Sequence, residues 1–180
     1  MLTEPLPVTL DIRKAATRGV DITGALRPLD LQRFRSLLAD DDGAIQVALR
    51  FAKDEESRYV VRVSIEATVT VTCQRCLEAM PEHLASENML AVVWTDEQAA
   101  QLPRHLDPLI LEEQACNLWE LVEDELILAL KPFSYHDTPD CRARIEAYAD
   151  PGPEEDEQAG RPNPFNVLAE LKAGKEKQEL

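Results

Sequence analysis

Residues 59–73 constrain the fold more than any other part of this chain. Tyr59, Val61, Val63, Ile65, Ala67, Val69 and Val71 take every second position, and Arg62, Ser64, Glu66, Thr68, Thr70 and Thr72 fill the places between. Successive side chains of a strand point to opposite faces, so this spacing buries one face and wets the other. One-sided burial is the habit of antiparallel sheets, whereas parallel strands read as continuous apolar runs. Two neighbours share the pattern. Residues 44–51 put Ile45, Val47, Leu49 and Phe51 on one side and Ala44, Gln46, Ala48 and Arg50 on the other. Residues 82–94 return as a strand of mixed character. With a charged turn at 53–58, the simplest arrangement is an antiparallel meander.

A different period follows. Residues 116–130 carry an apolar arc of Leu118, Trp119, Leu121, Val122, Leu126, Leu128, Ala129 and Leu130, with Glu120, Glu123 and Asp124 on the other side, and Pro132 ends the run. A sheet with one apolar face and a helix with one apolar stripe must cover each other. The expected fold is therefore α+β, a meander packed with a long helix in the C-terminal half. Upstream, residues 8–12 read as a short strand, 20–26 alternate weakly, and 28–39 read as an amphipathic helix through Leu31, Phe34, Leu37 and Leu38. Residues 96–107 are loop-like and 109–111 suggest one more short strand. Residues 1–149 thus form a single domain. Residues 150–160, with Pro151, Gly152, Pro153 and an acidic run at 154–157, read as a flexible linker. Within 161–180, Asn163 as N-cap and Pro164 at the first helical position start a short amphipathic helix bearing Phe165 and Leu168, before a frayed tail.

The long alternating strand runs into Cys73-Gln74-Arg75-Cys76, and His136 and Cys141 stand far downstream. Two thiols at C-x2-C spacing can grip one ion from a single turn, and a His-x4-Cys pair would complete the four tetrahedral ligands that zinc prefers. Four reduced residues without a metal remain an open alternative. A redox pair is a third, weakened because reactive C-x2-C motifs open helices, while strands flank this one. Cys116 reads as a packed thiol.

Glu125 falls inside the apolar arc of the helix beside Leu118, Leu121, Val122 and Ala129. A carboxylate buried there must be paired or hydrogen-bonded. It is either an internal anchor, a partner-facing carboxylate or a rim residue. No G-x-S-x-G, P-loop, G-x-G-x-x-G or H-E-x-x-H pattern occurs.

Composition matters for partners. The formal charge is −15, from 34 acidic and 19 basic residues. Phosphates must be met by Lys and Arg, so this balance opposes unaided binding of bare nucleic acid and favours basic proteins. The basic candidates are Arg13, Lys14 and Arg18, with Arg33 and Arg35, and the C-terminal lysines. No apolar run reaches the roughly 18 residues of a membrane helix. No basic segment followed by an apolar one begins the chain, so a cytoplasmic protein with reduced cysteines is expected.

Several segments in order carry a family resemblance. They are Leu6-Pro7-Val8-Thr9-Leu10-Asp11, Val71-Thr72-Cys73-Gln74-Arg75-Cys76-Leu77, the helix from Leu121 to Leu130, the His136 to Cys141 segment, and Asn163-Pro164-Phe165-Asn166-Val167-Leu168-Ala169-Glu170-Leu171-Lys172. Together they resemble the YceD family of large ribosomal RNA subunit accumulation proteins, with one departure: Lys131 stands between Leu130 and Pro132, where that family usually has Leu-Pro. The resemblance implies a role in ribosome assembly. The expected function is a non-enzymatic factor that supports accumulation of large-subunit ribosomal RNA by binding basic ribosomal or assembly proteins, with no small-molecule substrate. Glu120, Glu123, Asp124, Glu125, Phe165 and Leu168 are the candidate partner contacts, and zinc on Cys73, Cys76, His136 and Cys141 is the candidate cofactor. The rival classes are an RNA-processing or redox enzyme using the cysteines, and a direct RNA-binding module.

Overall fold

A computed structural model of the chain describes residues 5–146. The three alternating segments form β3 (Gly43–Lys53), β4 (Tyr59–Thr72) and β5 (Ala79–Val93), an antiparallel meander at the centre of a five-stranded sheet ordered β2-β3-β4-β5-β6. The registers Val47↔Ile65 and Ile65↔Ser86 keep the apolar sets of β3 and β4 on one face. That face buries Ile45, Val47, Leu49, Phe51, Val61, Val63 and Ile65, while Gln46, Arg50, Arg62 and Glu66 are exposed. The fold class is α+β, as the two periodicities require.

The edges were less legible. β2 (Asp21–Leu26) joins β3 antiparallel, but β6 (Asp107–Ile110) runs parallel to β5, with α3 (Asp96–Ala99) in the connection. The sheet is therefore mixed at one edge rather than wholly antiparallel. Residues 96–107 are not all loop, because Thr95 caps α3 by accepting from the Gln98 N–H. β1 (Thr9–Asp11) pairs with β7 (Ala115–Asn117) in a separate two-stranded ribbon.

The apolar face is covered by α1 (Ile12–Arg18), α2 (Gln32–Arg35) and α4 (Leu118–Ala129). The basic stretch after β1 is thus a helix. Asp11 caps its start through the Lys14 N–H, Gly19 at φ 64° ends it, and Ile12, Ala15 and Ala16 are buried. The single helix expected over 28–39 is instead a 3-10 turn, Pro28–Asp30, followed by the four residues of α2. The Asp30 carboxylate turns back onto the Arg27 N–H and guanidinium, and Leu31 is extended, so the helix cannot run through. In α4, the Asn117 side chain accepts from the Trp119 and Glu120 N–H groups, fixing the start beside β7. Leu128, expected in the apolar arc, is 78% exposed. The arc assigned to the helix was wider than the one stripe a twelve-residue helix presents to the core. α5 (Pro139–Glu146) ends the described chain. The linker at 150–160 and the Phe165 and Leu168 helix lie outside the described residues.

Candidate metal centre

β4 delivers Cys73 directly to the end of the sheet, and a tight turn brings the chain back. The Leu77 N–H donates to the Cys73 carbonyl, and the Cys73 N–H donates to the Glu78 carbonyl. Leu77 sits in the left-handed region at φ 60° to close this turn, with its side chain 75% exposed. Past α4, Pro132 redirects the chain across the turn, and the Gln74 N–H donates to the Ser134 carbonyl. Cys141 follows in the first turn of α5 and is buried.

These contacts bring Cys73, Cys76, His136 and Cys141 together, with all four donor atoms within 4.8 Å of one another. Cys73 Sγ lies 3.6 Å from Cys141 Sγ, and Cys76 Sγ lies 3.3 Å from His136 Nδ1. Tetrahedral zinc with Zn–S bonds of about 2.3 Å would hold two sulfurs about 3.7 Å apart. The residues therefore fit a zinc-sized ion in distance, number and softness. Burial pushes the Cys73 thiol up, yet N–H groups of Cys76, His136 and Arg75 directed at it prevail and bring it down to about 5. Burial and the neighbouring Cys73 and Cys76 sulfurs push Cys141 up. A cation among these sulfurs would relieve that mutual repulsion. Beside the turn, the Arg75 guanidinium lies 4.9 Å from the Tyr135 ring centroid.

The acidic face of α4 differs from expectation. Glu120 and Asp124 are exposed, but Glu123 is only 5% exposed. Its Oε1 accepts from the Arg33 N–H at 2.5 Å and the Phe34 N–H at 3.0 Å, and Oε2 accepts from the Arg33 guanidinium at 2.8 Å. The reading of Glu123 as part of an exposed face is corrected: it caps α2. Its spacing of four from Trp119 and three from Leu126 could have signalled a core-facing position. Glu125 is buried and accepts from Ser86 Oγ and from Asn88 Nδ2 on β5, so its readings as a rim residue and as a partner contact are corrected. It is an internal anchor between helix and sheet. Asp124 pairs with the Arg33 guanidinium, which leaves it accessible. Cys116 is a packed thiol, raised to about 11 by burial and by the Glu120 charge. Lys131, the departure from the family pattern, pairs at 2.6 Å with buried Glu82 on β5.

No solved structure matches this chain. The family described as "Large ribosomal RNA subunit accumulation protein YceD" matches over residues 61–172. The protein of the same description from Haemophilus influenzae is 33% identical over 168 residues, covering 93% of this chain and 96% of that one. With both matches extending through the knuckle, α4 and the His136–Cys141 segment, the chain belongs to the YceD family.

Proposed function

We propose that this protein is a non-enzymatic cytoplasmic factor that supports accumulation of large-subunit ribosomal RNA by binding basic ribosomal or assembly proteins. The observation that carries the reading is the match, over 93% of the chain, to a protein named for that accumulation. The formal charge of −15 supports a basic protein partner, since long-range attraction would speed encounter and make it salt-sensitive. Glu120 and Asp124 form the first contact surface, because both carboxylates are exposed on α4, with Asp124 exchanging its Arg33 partner for the bound cation. The segment bearing Phe165 and Leu168 is a second contact, tethered by the acidic linker.

Zinc on Cys73, Cys76, His136 and Cys141 acts structurally in this reading, fastening the β4–β5 turn to the segment after α4. The donor distances and the three sulfurs support it. All four protein ligands would be engaged, which is the closed arrangement of structural sites rather than the open one of catalytic sites.

The test is recovery of large-subunit precursors on the tagged full chain. The E120K/D124K variant, with its fold verified by circular dichroism, should recover far less than the unmodified chain. Equal recovery would remove this surface from the interaction.

A further inference from the structure

Among the described residues, many of the cations are held by carboxylates. Arg33 holds Glu123 and Asp124, Arg35 holds Asp41, Arg50 holds Asp21, Arg62 holds Glu87, and Arg58 holds Asp54 and Glu56. Three of the basic candidates in the sequence, Arg33, Arg35 and Lys14, are thereby spent, Lys14 on Asp11. Arg13, Arg18 and Lys53 have no carboxylate partner among the described residues, and they gather at one end of the molecule. The Arg13 guanidinium lies 4.2 Å from the Trp94 ring centroid and 5.9 Å from that of Tyr59, and Lys53 Nζ lies 5.0 Å from the same Tyr59 ring. Arg13 and Arg18 share a shallow depression on α1 with Lys14 and Thr17. Next to it, Ser57, Arg58, Tyr59, Trp94, Gln101 and Leu102 line a cleft of about 370 Å³.

The topology explains the concentration. β3 ends at Lys53, β4 begins at Tyr59, β5 runs out at Trp94, and α1 packs across β3 and β4. Three strand ends and one helix thus bring two half-buried aromatic rings beside three exposed, unpaired cations. Neither Tyr59 nor Trp94 reads as part of a site in sequence, because each stands at the limit of an alternating strand.

We propose that this Arg13–Arg18–Lys53 edge, with Tyr59 and Trp94, binds a single-stranded RNA segment. It deepens the ribosomal reading and rests on it for the identity of the RNA. Unpaired bases stack on aromatic rings and on guanidinium planes, and the surrounding cations meet the phosphates. Arg13 layered on Trp94 offers such a plane, and Ser57 and Gln101 in the cleft offer hydrogen-bonding groups to a base edge. A duplex presents no free base faces to this edge, so single strands are preferred. The three unpaired cations favour an anionic ligand over a basic peptide, although Glu55, Asp96 and Glu97 stand exposed beside them. The chain as a whole repels RNA, so binding is weak in isolation and gains from tethering when the acidic face engages a protein of the same particle.

The experiment measures fluorescence anisotropy of labelled single-stranded RNA oligonucleotides with the full chain, over a range of low salt concentrations. Three phosphate contacts predict that log K falls against log salt with a slope of about −2. R13A/R18A/K53A should bind at least about tenfold more weakly with a flattened slope and an unchanged circular dichroism spectrum. Ultraviolet crosslinking should mark Tyr59 or Trp94. Failure of the oligonucleotide to bind at low salt, equal binding by the triple variant, or equal competition by duplex RNA or heparin would overturn the proposal. The two readings separate cleanly. The triple variant keeps Glu120 and Asp124 and should still recover basic proteins, whereas E120K/D124K should lose them and retain the oligonucleotide.

Discussion

Removing the Glu123 carboxylate should destabilise the protein far more than removing any exposed acid. The carboxylate accepts from two main-chain N–H groups, one of them on fully buried Phe34, and from a guanidinium. Hydrogen bonds to charged groups contribute about 1.5–3 kcal/mol each, and a donor left buried without a partner costs about 1–3 kcal/mol. Arg33 is half exposed and can return to water, so it adds little. The two main-chain bonds, both to Oε1, then set the loss for Glu123→Ala at about 3–5 kcal/mol, and Glu123→Gln, whose amide oxygen can still accept both but without the charge, at about half of that. Urea unfolding followed by far-ultraviolet circular dichroism measures both. The same pair of variants tests the electrostatics. Burial pushes the Glu123 carboxyl up, but the N–H groups of Phe34 and Arg33 and the Arg33 guanidinium outweigh it and hold the carboxyl below its usual 4.5. A depressed carboxyl contributes stability that is fully present above pH 4.5 and lost as the pH falls through the lower folded value. The stability gap between the unmodified chain and Glu123→Gln should therefore be constant at neutral pH and close in acid. A loss below about 1 kcal/mol for Glu123→Ala, or a gap that widens in acid, would refute the role of this carboxylate as the cap of α2.

Two further predictions concern the frame around the sites. Protein purified without chelator should carry about one zinc per chain by elemental analysis. Stripping that zinc, or making Cys76→Ser, should lower stability by an amount on the order of 4 kcal/mol, the closure entropy of the 68-residue span between Cys73 and Cys141; metal-free protein of unchanged stability would defeat the zinc assignment. Gly24→Ala should cost about 1–3 kcal/mol by thermal unfolding. A Cβ there would stand 2.9 Å from the backbone of buried Leu6, which runs beside β2, and no flexible side chain can yield; an unchanged melting temperature would show that the segment is not pinned there.

The central sheet was readable from residues 44–94 because a two-residue period has one physical meaning: a strand with one dry face. The four candidate metal ligands were readable as residue types, since two thiols at C-x2-C spacing with a downstream His and Cys match the donor set of a zinc site, one of several readings. Their convergence was not. It depends on α4 ending at Ala129, just ahead of Pro132, and on one long-range hydrogen bond, Gln74 N–H to the Ser134 carbonyl, which no local pattern encodes. Glu125 shows the same division. Its place inside the apolar arc made burial one reading among three, and what settles it, its partners Ser86 and Asn88 on β5, depends on register. Glu123 was misread because helix periodicity identifies a flank without saying what packs against it, and α2 arrives there from ninety residues earlier in the chain. The edge at Arg13, Lys53, Tyr59 and Trp94 is wholly tertiary. Net charge is a property of composition, and it disfavoured RNA for the whole chain. Which cations remain unpaired is decided by packing, because an ion pair forms only where the fold brings its partner within a few ångströms.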